Sequence, residues 1–113
     1  MSATAIAAVN EARNHIGTPY KNGGAAPGGF DCSGLVQYCY KVAGVNLPRT
    51  TGELINAGVS VSQGNLQMGD LVFPSSGHVG LYTENGKFIH APHSGEVVKE
   101  VNVYAFYAGR RVA

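Results

Sequence analysis

The sequence predicts an α+β domain in which helices pack on an antiparallel sheet. Three observations carry that reading. In the first half, apolar residues recur at helical spacing. From Val59 onward they gather in short β-prone runs separated by turn residues. The connections between those runs are short, as hairpins require and parallel crossovers do not allow.

The elements follow in order. Ala5, Val9, Ala12 and Ile16 share a helical stripe, which predicts a first helix from Thr4 to His15 stopped by Gly17-Thr18-Pro19. Residues 22–29 (Asn-Gly-Gly-Ala-Ala-Pro-Gly-Gly) read as a loop without regular structure. Asp31 sits where an N-cap belongs, ahead of a stripe made by Leu35, Val36, Cys39 and Val42, and Gly44 supplies the stop. Thr50-Thr51-Gly52-Glu53 fits a capping box, with Thr50 as N-cap, opening a short third helix to Asn56. Strands are expected at Leu71–Phe73, Val79–Tyr82, Phe88–His90, Val97–Val101 and Phe106–Arg110. With no internal repeat and no linker, residues 1–113 form a single domain with one core.

Composition excludes several classes of function. Hydrophobic residues make up 44% of the chain and charged residues 13%, with a formal net charge of +1. Binding to nucleic acid or to a membrane surface through bulk charge is therefore not expected. No stretch approaches the length of a membrane span. The first fifteen residues lack a basic start and a long apolar run and carry Glu11 and Arg13, so they do not read as a signal peptide. Cys32 and Cys39 lie seven residues apart on one predicted helix, separated by roughly 10 Å of rise, too far for a disulfide.

Cys32 opens a helix. A thiol there meets the positive end of the helix dipole and unpaired backbone N–H groups, which favour a thiolate and can hold an oxyanion formed beside it. Cys39, inside the apolar stripe, reads instead as a core residue.

The histidines supply a geometric test. A two-residue Asn85-Gly86 loop would pair Leu81 with His90 and put His78 and His90 on opposite faces of the sheet. A three-residue loop, Glu84-Asn85-Gly86 with Gly86 left-handed, pairs Tyr82 with Phe88, Leu81 with Ile89 and Gly80 with His90. In that register His78, Gly80, Tyr82, Phe88 and His90 share one face, while Val79, Leu81 and Ile89 form an apolar layer on the other. The two histidines become diagonal neighbours roughly 7–8 Å apart at the backbone. The cleaner segregation of apolar residues favours this register without reference to chemistry. His78 then reads as a base for Cys32, and His90 as the residue that fixes its tautomer. Gly80 is expected to leave room for the second imidazole. His15 and His93 read as ordinary polar residues. A zinc site built from Cys32, His78, His90 and His93 is the rival chemistry, but no CxxC or HExxH spacing supports it.

Six fragments resemble the NlpC/P60 family of papain-like cysteine peptidases, in that family's order: Gly17-Thr18-Pro19-Tyr20, Phe30-Asp31-Cys32-Ser33-Gly34-Leu35-Val36, Leu47-Pro48-Arg49-Thr50, Met68-Gly69-Asp70-Leu71-Val72-Phe73, Gly77-His78-Val79-Gly80-Leu81-Tyr82 and Ile89-His90-Ala91-Pro92. The resemblance implies a papain-like fold, with N-terminal helices on a central antiparallel sheet of five or six strands. It implies Cys32 as nucleophile, His78 as base, His90 as third catalytic residue and Tyr20 as a hydroxyl at the active site. Asp31 and Ser33 would line the pocket for the residue before the cut bond, Asp31 pairing with a free amino group, and Arg49 would reach a substrate carboxylate. Gly69 and Asp70 read as a turn.

The implied activity is hydrolysis of peptidoglycan stem peptides between D-glutamate and the following diamino acid, by a monomer acting at the cell wall without a cofactor. An amidase cutting between sugar and first alanine, and a non-catalytic peptidoglycan-binding domain, are the alternatives. The sequence departs from the family's pattern at Asn22, where a tryptophan is common, and the chain has no tryptophan at all.

Overall fold

A computed structural model describes residues 2–113. Ser2 caps the first helix, α1 (Ala3–Asn14), by accepting from the Ala5 N–H at 3.0 Å, and its Ala5, Ala8, Val9 and Ala12 are buried. Ile16 lies past the helix end and is exposed. The segment predicted to be irregular contains a small hairpin, β1 (Ala25–Ala26) paired antiparallel with β2 (Gly29–Phe30). Pro27-Gly28 supplies its turn, a dipeptide suited to reversing the chain over two residues.

Asp31 caps the second helix, α2 (Cys32–Val42), through a 2.6 Å bond accepted from the Gly34 N–H. Its buried side holds Leu35, Val36, Cys39 and Tyr40; Val42, placed in the stripe by spacing alone, faces outward. Thr50 caps α3 (Thr51–Leu54), which anchors through the fully buried Leu54 and ends earlier than expected.

Six strands form an antiparallel sheet: β3 (Val59–Ser60), β4 (Leu71–Ser75), β5 (His78–Tyr82), β6 (Lys87–His90), β7 (Lys99–Asn102) and β8 (Ala108–Arg111). Their spatial order is β3-β8-β4-β5-β6-β7. The last two strands begin two residues later than their apolar runs suggest. Val97 and Val98 instead pair with Thr18 and Pro19, which ties this segment to the chain leading into Tyr20. The two-residue β3 is exposed at the sheet edge and lacks an apolar run to announce it.

Helices α1 and α2 cover one face of the sheet. Phe30, Leu35, Val36, Cys39 and Tyr40 pack there against Leu71, Phe73, Val79, Leu81 and Ile89. The turn before β4 is fastened from two sides. Tyr40 donates from its hydroxyl to the Gly69 carbonyl at 2.5 Å, and the Arg111 fork grips the buried Asp70 carboxylate at 2.9 and 2.8 Å. Asp70 is thus a turn residue, as expected, and also half of an ion pair that locks β8 to the start of β4.

Candidate active site

The β5–β6 hairpin has the register that places both histidines on one face: Leu81 pairs with Ile89 and Tyr82 with Phe88. The turn that achieves this differs from the expected one. Both Asn85 (φ 55°) and Gly86 (φ 76°) are left-handed, and the Lys87 N–H donates to the Glu84 carbonyl at 3.1 Å. That is the local turn an Asn-Gly pair prefers. The extra residue is absorbed by a bulge, because the Thr83 N–H, not that of Glu84, donates to the Lys87 carbonyl.

His78 Nε2 and His90 Nδ1 are 2.7 Å apart, with the rings edge-on at 5.0 Å between centroids. His90 is buried at 4% exposure and its pKa is pushed down to about 4, first by burial and then by His78, Lys99 and His93. Burial, with His93, also lowers that of His78. A neutral His90 can accept at Nδ1; in that tautomer His78 donates from Nε2 and keeps a free lone pair on its own Nδ1.

Gly80 serves this arrangement by a different route from the one expected. A Cβ at Gly80 would lie 2.4 Å from Phe88 Cδ2, so it is the Phe88 ring that occupies the vacant space. That ring in turn lies against His90, 4.6 Å between centroids at a 31° tilt, and the mostly exposed Tyr104 flanks both rings.

Cys32 is half-buried at the first position of α2, and its sulfur lies 3.5 Å from the Thr51 hydroxyl. Sequence reasoning missed Thr51, since the capping box draws attention to Thr50 instead. Cys39 is fully buried, and burial followed by the nearby Glu11 pushes its thiol far up. Both cysteines are free.

The residues flanking Cys32 are bonded to each other. Asp31 Oδ1 accepts from the Gly34 N–H, from Ser33 Oγ at 3.2 Å and from Arg49 Nη1 at 3.1 Å, while Oδ2 accepts from Arg49 Nη2 at 2.8 Å. Arg49 also donates to Ser33 Oγ at 2.9 Å and to the Gly24 carbonyl at 3.4 Å. Burial would raise the Asp31 pKa, but the bonds from Arg49 and Gly34 outweigh it and hold the carboxyl below its usual range. Ser33 is buried with its hydroxyl engaged on both sides, and the Arg49 fork is turned inward. Tyr20 is half-buried, and burial, then Cys32 and Asp31, raise its pKa, so the phenol keeps its proton. Among the described residues, no group of three or more His, Cys, Asp or Glu side chains is placed to hold a metal ion.

Comparison with known proteins places these features in context. The sequence profile of the NlpC/P60 family matches residues 17–113. A probable endopeptidase of Mycobacterium tuberculosis is 40% identical over 97 residues, covering 84% of this chain and 25% of the relative. The murein DD-endopeptidase MepH of Escherichia coli is 40% identical over 102 residues, covering 81% of this chain and 38% of that protein. The chain therefore spans about a quarter to two fifths of the length of these curated relatives. Among solved structures, the NlpC/p60 domain of the peptidoglycan hydrolase SagA superposes with a TM-score of 0.89 at 37% identity, covering 96% of this chain and 98% of that one. An NlpC/P60 family protein from Bacillus cereus gives 0.89 at 32% identity, covering 95% and 39%.

Proposed function

The chain belongs to the NlpC/P60 family, and on that premise we propose that it is a cysteine endopeptidase of peptidoglycan stem peptides. The proposed cut lies between D-glutamate and the following diamino acid, and the proposed triad is Cys32, His78 and His90. The observation that carries the reading is the 2.7 Å bond between His78 Nε2 and His90 Nδ1. With His78 as the donor, it orients that ring and leaves its Nδ1 as the site that accepts a proton from the thiol.

In this reading the Cys32 thiolate attacks the amide carbonyl carbon. The oxyanion forms beside the free N–H groups at the start of α2, with the Tyr20 hydroxyl as a further donor. The amine leaves with the proton held on His78. Water, deprotonated by the same imidazole, then hydrolyses the thioester and frees the thiol. Asp31 is proposed to receive a substrate amino group at Oδ2, which among the described residues accepts one hydrogen bond, from Arg49. Ser33 and Arg49 fit better as the frame that orients Asp31 than as direct substrate contacts. The protein is proposed to act at the cell wall, as a monomer.

The name of the Escherichia coli relative introduces a second bond, one between two D-centres. Defined muropeptides separate the readings by product mass: stem cleavage after D-glutamate, cross-link cleavage between D-residues, or release of the sugar by an amidase. The expected outcome is the first, abolished in Cys32→Ala. Equal inertness of wild type and Cys32→Ala would favour a binding domain and overturn the enzyme reading.

A further inference from the structure

We propose that Thr51 is a further catalytic residue, whose hydroxyl donates a hydrogen bond to the Cys32 sulfur once His78 has taken the thiol proton. The inference rests on Cys32 being the nucleophile.

Thr51 Oγ1 lies 3.5 Å from Cys32 Sγ, within the reach of a hydrogen bond to sulfur. With a neutral thiol either atom can donate. A thiolate has no proton, so the hydroxyl then becomes the donor, and bonds to a charged acceptor are the stronger kind.

The hydroxyl is free for this role because its neighbour does the capping. Thr50 Oγ1 accepts from the Glu53 N–H at 3.3 Å and donates to Glu53 Oε1 at 2.9 Å. Among the described residues, Thr51 makes no other side-chain hydrogen bond.

Its position is fixed by the same network that brackets the nucleophile. Arg49, two residues before Thr51, grips Asp31 and Ser33, which stand on either side of Cys32 in the sequence. Leu54, fully buried, holds the other end of α3. The thiol and the hydroxyl are thus carried by two segments that the Arg49 fork ties together. The bond would also limit sulfur rotation and keep the thiolate aimed at the substrate carbonyl.

Two variants separate the hydroxyl from the bulk of the side chain: Thr51→Val removes it at nearly constant shape, and Thr51→Ser keeps it. The first readout is the rate of Cys32 alkylation by iodoacetamide from pH 6 to pH 10, with the labelled site identified by peptide mass; Cys39 is buried and serves as the internal control. Thr51→Val is expected to slow alkylation about five- to tenfold near neutral pH, the worth of one such bond. At pH 10 it should match or exceed wild type, because a thiolate without a donor is the more nucleophilic one. Thr51→Ser should stay within about twofold of wild type, and cleavage of the muropeptide should follow the same order.

Alkylation of Thr51→Val at the wild-type rate throughout would overturn the proposal. So would a Thr51→Ser protein as slow as Thr51→Val, since packing of the methyl group would then be responsible. If wild type alkylates in the expected order yet cleaves no muropeptide, the substrate reading fails while the role of the hydroxyl at the sulfur stands.

Discussion

Gly80→Ala is the sharpest test of how the sheet holds the histidine pair. The added Cβ would sit 2.4 Å from Phe88 Cδ2 and 2.8 Å from both Phe88 Cε2 and the Ile89 carbonyl oxygen. Carbon atoms in ordinary contact are about 3.5–4.0 Å apart, so the ring must retreat by roughly 1 Å or more. It has nowhere neutral to go, because Phe88 is fully buried and lies against His90. Overpacking of this kind costs about 1–3 kcal/mol, and the clash with backbone at Ile89 favours the upper end. Displacing His90 breaks a 2.7 Å bond on which the orientation of His78 depends, and a misplacement of about 1 Å can lower turnover on the order of a hundredfold. Urea unfolding would give the stability loss, and muropeptide turnover the catalytic one. Adding Phe88→Leu to Gly80→Ala should recover part of the stability, but not the part due to the Ile89 carbonyl. A Gly80→Ala protein with an unchanged urea midpoint and turnover within twofold would refute the reasoning. Failure of Phe88→Leu to restore anything would show that the ring is not the obstacle.

Three further outcomes are expected. His90 binds its proton less readily folded, with a pKa of about 4, than its ordinary 6.5. The unfolded chain therefore takes up the proton first as pH falls, and stability declines from about pH 6.5 to pH 4, by up to about 3 kcal/mol. Urea titrations across that range should give this slope in wild type and a shallower one in His90→Gln. Asp70→Asn keeps the shape of the residue but discharges a carboxylate gripped by the Arg111 fork; it should cost about 1.5–3 kcal/mol in urea unfolding with little change in turnover. Arg49→Lys keeps the charge but loses the fork that spans Asp31, Ser33 and Gly24; kcat/KM should fall about tenfold, while Tm moves by only a few degrees because Arg49 is partly exposed.

Much of the fold was legible because its signals are local. Asp31 and Thr50 cap the helices their positions suggest, and the parity of Val79, Leu81 and Ile89 sets the hairpin register. What escaped the sequence depends on tertiary partners. Val97 and Val98 look like the start of a strand, yet they bond to Thr18 and Pro19 rather than to β6. The small β1–β2 hairpin is hidden in a glycine-rich run, and β3 leaves its one apolar residue, Val59, exposed. In the candidate site, Cys32 and the histidines were legible from type and order. The mutual engagement of Asp31, Ser33 and Arg49 was not, because it joins positions up to 18 residues apart. Thr51 was masked by its place inside the capping box, where Thr50 does the capping.

The turn at Asn85-Gly86 illustrates how two demands are met at once. Asn-Gly favours a two-residue turn with both residues left-handed, and the turn has that form. Taken alone it would move His90 to the core face. The apolar layer demands the other parity, and the bulge at Thr83-Glu84 supplies the missing residue. The electrostatics follow from the face so chosen. Were His90 protonated, both its nitrogens would be donors, and the 2.7 Å bond could form only with His78 accepting at Nε2. His78 would then carry its proton on Nδ1 and could not take one from the proposed nucleophile. Burial against Phe88 keeps His90 neutral, the one charge state in which its Nδ1 can accept and His78 can be the donor. The acid limb of kcat/KM should accordingly lie below pH 6.5, since burial lowers the pKa of His78 as well. In Phe88→Ala, where His90 loses its cover, the limb should move toward neutral pH. An acid limb in Phe88→Ala that coincides with that of wild type would separate burial of His90 from the tautomer of His78 and leave the turn without a role in the chemistry.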